Sequence, residues 1–145
     1  MRIGILGSGL MGGKLGTIFA RAGHDVVFSY ARSPNKLERL ARDAGGKARA
    51  GSPREAAQQA EAVLVAVHWS RVDDVLQQAG NLSGDEGKAK QVAATPIRDA
   101  GFDPVDAGAL RIARYTEPFA LLVGELAYGR DGGPELAYRF ERFRC

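Results

Sequence analysis

The sequence predicts an α/β fold: a doubly wound, mainly parallel sheet with a helical C-terminal segment. Three observations predict it. Short apolar runs alternate with stretches of helical spacing through residues 2–69, the rhythm of successive strand–helix–strand units. Three glycines, Gly7, Gly9 and Gly12, stand at the first strand-to-helix junction. Serine–proline pairs at 33–34 and 52–53 supply two further helix starts.

Arg2 to Leu6 (RIGIL) is an apolar run ended by glycine, the pattern of a strand buried on both faces. Leu10, Leu15, Ile18 and Phe19 then recur close to helical spacing until Gly23 ends the helix. Asp25 to Tyr30 (DVVFSY) is the second strand, and the helix between the two makes a right-handed crossover between parallel strands. Ser33 caps a helix with Pro34 in its first turn, which Gly45 and Gly46 close. Lys47 to Ala50 is a weak third strand. Ser52 and Pro53 repeat the capping device, with Glu55 in the first turn where the helix dipole favours a carboxylate. Ala62 to Trp69 (AVLVAVHW) carries the strongest strand pattern in the chain.

After Trp69 the rhythm breaks. Arg71 to Gln78 has helical spacing, Asn81 to Gly84 is a loop, and a second helical stretch runs from about Glu86 to Ala100 with Pro96 as a kink or break. Pro104 to Asp106 is expected to form a short strand. The tail, 110–140, reads as helical with a turn at Gly129–Gly133 and an apolar, aromatic face at Phe119, Leu122, Leu126 and Tyr128.

At 145 residues the chain can bury one core. Its 45% hydrophobic and 26% charged residues are the proportions of a globular domain rather than a disordered or membrane-embedded one. A net charge of +3, without a concentrated Lys/Arg run, argues against nucleic acid as a partner. The single cysteine, Cys145, excludes an intramolecular disulfide and a cysteine-based metal cluster. No apolar stretch nears the roughly 18 residues of a membrane span and no signal peptide is evident, so the expected location is cytoplasmic.

The chemistry concentrates at the glycines. Gly7-x-Gly9-x-x-Gly12 follows a strand and opens a helix, the context of a Rossmann-like dinucleotide site. Gly7 permits the tight turn, Gly9 lets backbone approach a pyrophosphate, and Gly12 allows close helix–strand packing. The phosphates would rest on the N–H groups of the positive helix end. At the end of the second strand, sites for NAD place a carboxylate on the ribose hydroxyls. This chain has Ser29, Tyr30, Ala31, Arg32 and Ser33 there, with Lys36 one turn on. No carboxylate stands ready to repel a 2′-phosphate, and Arg32 offers a planar fork of donors. The expectation is therefore NADP(H); the alternative leaves Arg32 and Lys36 as solvated charges at a helix start. His68 and Trp69 fall at the carboxyl end of the fourth strand, where open α/β sheets bind ligands. Either they flank a nicotinamide or they close the strand top as an aromatic pair. His24, after a helix-ending glycine, reads as a partner of that helix's C-terminal dipole. No catalytic triad, carboxylate pair or metal-ligand set is present, and hydride transfer requires none.

These stretches resemble the NADP oxidoreductases that depend on the deazaflavin coenzyme F-420. The resemblance rests on GILGSGLMG at the start, SYARS after the second strand, VAVHW at the fourth strand's end, and GFDPVDAGALRIARYTEP later in the chain. It implies that Ser29, Arg32 and Lys36 bind the 2′-phosphate, that the backbone of Gly7, Ser8, Gly9, Leu10, Met11 and Gly12 binds the pyrophosphate, and that Val67, His68 and Trp69 flank the nicotinamide. It also implies hydride exchange between NADPH and a deazaflavin or flavin. Where such proteins continue into further strands after a segment like Asn81–Gly84, this chain runs directly into Asp85, as though an internal segment of the family fold were absent.

The expected organisation is a dinucleotide-binding core over 1–84, with 85–145 completing the same domain or forming a homodimer contact. An edge left open at the fourth strand, unless Val105 fills it, and the apolar tail face both favour the dimer. The expected function is an NADP(H)-binding oxidoreductase with a small-molecule electron acceptor. The alternative is a non-catalytic, shortened NADP(H)-binding module.

Overall fold

The computed structural model describes residues 1–80 and 87–128. Two compact units divide the chain, 1–106 and 107–145. The first is built on a four-stranded sheet: β1 (Arg2–Leu6), β2 (Asp25–Ser29), β3 (Arg49–Ala50) and β4 (Ala62–Val65), in the order β3-β2-β1-β4. Every neighbouring pair is parallel, with Ile3 opposite both Val26 and Ala62. The fold is thus a Rossmann-like α/β fold with a parallel sheet, and a helix lies near the C-terminus.

Strand alternation sorts the core into two layers. Ile3, Ile5, Val26 and Phe28 face one side, where they pack with Phe19 and Ala20 of α1 (Leu10–Arg21) and Ala41 and Ala44 of α2 (Pro34–Ala44). Leu6 and Val27 face the other, against Ala56 of α3 (Pro53–Ala57) and Val75 and Ala79 of α4 (Val72–Ala79). Helices on both faces explain why β1 and β2 read as continuous apolar runs. The serine–proline starts behave as their spacing predicts: Ser33 caps α2, and Ser52 with Glu55 forms a reciprocal capping box on α3.

Three expectations are corrected. The strand predicted at Pro104–Asp106 does not form: the segment is irregular and Val105 is 71% exposed. A run of three residues holding a proline without an N–H has little to contribute to a ladder. The fourth strand ends at Val65 rather than Trp69: after the Ala66 N–H makes a last bond to the Leu6 carbonyl at 2.8 Å, the chain leaves the sheet and Trp69–Arg71 form a short 3-10 turn before α4. Pro96 does not break its helix, since α5 (Gly87–Asp99) runs through it.

His24 also differs from expectation. Its backbone N–H closes α1 on the Phe19 carbonyl at 3.1 Å, and its ring takes partners outside that helix. Nε2 lies 2.9 Å from Asp99 of α5, Nδ1 faces the Met1 ammonium, and the ring meets Phe19 edge-on. This part-buried contact ties α5 to the sheet's amino end. The second unit, described by itself, carries a 3-10 turn (Leu110–Ile112) and α6 (Ala113–Tyr128), on which Tyr115, Leu121, Leu122 and Tyr128 are exposed. The loop expected at Asn81–Gly84, the turn at Gly129–Gly133 and Cys145 lie outside the described residues.

Candidate functional site

The chain winds outward from β1 through β2 to β3, then returns to β4 on the other side of β1. Such a reversal leaves a crevice at the carboxyl ends of the strands, where the connecting helices depart in opposite directions. A cleft of about 730 Å³ opens there, within the size range of small-molecule sites. Its lining comes from three places: the turn after β1, the end of β2 with the start of α2, and the segment after β4.

The first wall is the glycine turn. Gly7 has φ +108°, a conformation that side chains disfavour, and its N–H donates to the Ser29 carbonyl at 3.1 Å. The Ser8 N–H reaches the Tyr30 carbonyl at 3.2 Å, and its hydroxyl donates to the Ser29 carbonyl at 2.9 Å. The turn is thereby pinned to β2. At Gly12 a Cβ would sit 2.0 Å from the Gly7 carbonyl oxygen, so α1 can start this close only with glycine there. Gly9 is the N-cap of α1, and no side chain caps it. The first N–H groups of the helix lack an intrahelical acceptor, and its start at Gly9 and Leu10 lines the cleft, which suits an anion.

The second wall follows β2. Tyr30, Ala31, Arg32 and Lys36 line it, and the Ser33 cap places Lys36 by accepting its backbone N–H at 3.4 Å. Ser29 is absent from the cleft. Its side chain is fully buried and donates to the Ile5 carbonyl at 2.7 Å, so its hydroxyl serves the β1–β2 pairing. The 2′-phosphate role that the resemblance implies for Ser29 therefore has no exposed hydroxyl to perform it.

The third wall is Ala66, Val67, His68, Ser70 and Arg71. The Ser70 hydroxyl lies 2.9 Å from His68 Nδ1, and the Ser70 N–H donates weakly to the same atom at 3.4 Å. Acceptance at Nδ1 leaves the neutral ring's proton on Nε2, free to donate. The His68 carbonyl receives the Arg71 N–H at 2.8 Å, which shapes the turn.

The cleft thus gathers Gly7, Ser8, Gly9, Leu10, Arg32, Lys36, Val67 and His68 of the sequence-predicted set. Met11 and Gly12 lie one step into α1, behind the lining. Trp69 is placed by its backbone in the 3-10 turn. Sequence reasoning missed Arg71, and with it a link between two walls. The Tyr30 hydroxyl donates to Asp74 Oδ2, and Gln78 Nε2 donates to Oδ1 at 3.0 Å. The Tyr30 bond, helped by Gln78 and Arg71, holds the Asp74 carboxyl below its usual range. Asp74 in turn raises the Tyr30 phenol. Tyr30 itself is held at φ +56°, an uncommon conformation for an aromatic residue. The strand-end rule for ligand sites, applied three residues beyond His68, is the signal that could have found Arg71.

Charge distinguishes this cleft. Arg32, Lys36 and Arg71 all line it, no carboxylate does, and none of the three forms an ion pair among the described residues. Three cations beside a free helix N-terminus are complementary to a ligand bearing several phosphates.

Fold and cleft together define a dinucleotide-binding α/β domain of the oxidoreductase type. The family described as "NADP oxidoreductase coenzyme F420-dependent" matches residues 2–89, more than half of the 145, and the chain belongs to it. A solved structure, the crystal structure of a hypothetical protein SMa0349 from Sinorhizobium meliloti, is similar with a TM-score of 0.57 at 16% sequence identity. The likeness covers 99% of this chain and 96% of that one, and shows the same fold. No curated protein matches. Among the described residues, no helix is long and apolar enough to cross a membrane.

Proposed function

We propose that the protein binds NADP(H) in the cleft and serves hydride transfer between the nicotinamide and a deazaflavin, coenzyme F-420, or a flavin-type acceptor. The observation that carries the cofactor assignment is the cluster of Arg32, Lys36 and Arg71 in a cleft with no carboxylate. A carboxylate at the end of β2 would accept from ribose hydroxyls and repel a 2′-phosphate; the guanidinium of Arg32 and ammonium of Lys36 do the reverse. Membership in a family of NADP oxidoreductases supports the reaction class.

The bound nicotinamide supplies the hydride chemistry, and the protein's residues bind and orient. The N–H groups after Gly9 take the pyrophosphate, Arg32 and Lys36 take the 2′-phosphate, and Val67 and His68 set the nicotinamide side, with the His68 Nε2–H as a donor toward it. Trp69 follows them there. The proposal extends to a cytoplasmic setting and to a homodimer in which segment 85–145 contributes the contact.

Removing Arg32 tests the cofactor assignment. Arg32→Ala should weaken NADPH binding at least tenfold and leave NADH nearly unchanged, the loss of about one charge-assisted contact. Equal losses for both would sink it. Mixing the protein with NADPH and F-420 or FMN, and following the nicotinamide absorbance band, tests turnover. Tight NADPH binding without oxidation would favour the second reading, an NADP(H)-binding module without activity. That reading draws support from the sheet ending at β4, with no further strand among the described residues to build an acceptor wall.

A further inference from the structure

We propose that Arg71 is a third nucleotide-binding cation, acting on the adenosine half of the ligand, and that Tyr30 and Gln78 position it by occupying the two oxygens of Asp74. The inference rests on the NADP(H) reading and extends it to residues on α4 and the turn before it.

The geometry begins with a conflict. Asp74 is the carboxylate beside Arg71, one helical turn along, and such a spacing ordinarily draws an arginine into an ion pair. Here the pair does not form among the described residues. Oδ2 of Asp74 accepts from the Tyr30 hydroxyl and Oδ1 from Gln78 at 3.0 Å. Each oxygen thus holds a neutral donor, and the guanidinium of Arg71, beside the Tyr30 hydroxyl and within electrostatic reach of Asp74, stays in the cleft lining rather than closing on the carboxylate. The lowered pKa of Asp74 keeps the carboxylate ionised as the acceptor of both bonds.

Tyr30 also fixes where that charge stands. It follows β2 directly, its carbonyl receives the Ser8 N–H, and it packs against the second core layer. The hydroxyl therefore joins the β2 wall to α4 across the end of β1, 44 residues apart in sequence. Arg71, from the third wall, is beside the Tyr30 phenol, and Tyr30 directly precedes Ala31 and Arg32 in the wall after β2. That is the side of the ribose 2′-position in a dinucleotide lying over the glycine turn, hence the assignment to the adenosine half. A left-handed backbone at Tyr30 is conformationally costly, and the bridge is what the side chain at that position provides.

The test uses the full-length protein with NADPH and with 2′,5′-ADP, which carries the adenosine half alone. Arg71→Ala should weaken 2′,5′-ADP binding about tenfold, the loss of one charge-assisted contact, and Arg71→Lys should restore most of it. Tyr30→Phe should weaken binding severalfold, because Asp74 then captures Arg71. Adding Asp74→Asn to Tyr30→Phe should bring affinity back to within about twofold of the wild type, since the captor is gone. A merely structural role for Tyr30 predicts the reverse, a double variant as weak as the single one or weaker, and that result would overturn the positioning mechanism. Wild-type affinity in Arg71→Ala would overturn the role of Arg71 while leaving the NADP(H) reading intact. Failure of the wild-type protein to bind either probe would instead bring down the NADP(H) reading itself. Thermal unfolding of each variant separates these outcomes from loss of fold.

Discussion

Two glycines of one turn should fail in opposite ways when each is replaced by alanine. At Gly9 an added Cβ would have nothing within 4 Å, and the backbone, at φ −78° and ψ −151°, is extended and open to alanine. Alanine is a poorer N-cap than glycine by about 0.5–1 kcal/mol, but it also removes about 0.4–1 kcal/mol of unfolded-state entropy. The two nearly cancel, so the melting temperature should hardly move. On the proposed NADP(H) reading that empty space is the approach path of the pyrophosphate, and the methyl group should then cost the complex about 1–3 kcal/mol, roughly 5- to 150-fold in Kd. At Gly12 the balance is reversed. The Cβ would lie 2.0 Å from the Gly7 carbonyl oxygen and 3.1 Å from the Ala66 Cβ. Relief needs a shift of about 1 Å, and the Gly7 backbone is held by its bond to Ser29. The cost belongs at the top of the overpacking range, about 3 kcal/mol, or roughly a 6–12 °C fall in melting temperature. Circular dichroism melting beside NADPH titration by fluorescence reads both effects. Wild-type NADPH affinity in Gly9→Ala, or wild-type melting in Gly12→Ala, would refute the reasoning.

The other sites make sharper distinctions between structure and binding. Ser29→Ala should lower stability by about 1–2 kcal/mol by removing the donor to the Ile5 carbonyl, with NADPH affinity unchanged in the titration; a selective loss of NADPH affinity would return Ser29 to the 2′-phosphate site. His24→Ala should cost about 1–3 kcal/mol in chemical denaturation by releasing Asp99 and α5, and a stability equal to wild type would show that this anchor is idle. Glu55 accepts from the Ser52 N–H and hydroxyl, and these bonds hold its carboxyl below the usual range. A depressed carboxylate stabilises above its ordinary pKa and loses that contribution as pH falls through the lowered value. The melting advantage of wild type over Glu55→Gln should therefore be present at neutral pH and vanish in acid; a gap independent of pH would contradict it.

Much of the sheet was legible because local signals agreed with the global fold. β1 and β2 are apolar runs bounded by glycine, and their interior positions face helices on both sides. The serine–proline starts needed only local chemistry. What escaped depends on contacts distant in sequence. Nothing local tells that Ser29 turns its hydroxyl inward, that Tyr30 meets Asp74, or that His24 meets Asp99 across 75 residues. Arg71 read only as the start of a helical stretch, whereas β4 ends early and the 3-10 turn brings it to the cleft. The apolar run at 62–69 gave no warning of that early end, because residues 66–68 are as strand-like in composition as the four before them. Val105 failed as a strand for the converse reason: a β-branched residue between Pro104 and Asp106 has propensity without a ladder to join.

Burial across the sheet is graded, and the gradient reaches the cleft. Four of five residues are buried in β1 and in β2, whereas β4 has none in that class and leaves Val65 42% exposed. Amide hydrogen exchange should accordingly be slowest in β1 and β2, near the global limit, and faster through β4 and the turn that follows. Two walls of the cleft thus rise from stiff strands and the third from the compliant one, and a nucleotide spanning them must quiet the third. Slowed exchange at residues 62–71 on adding NADPH would therefore measure how much ordering the ligand imposes, and that ordering is subtracted from its affinity.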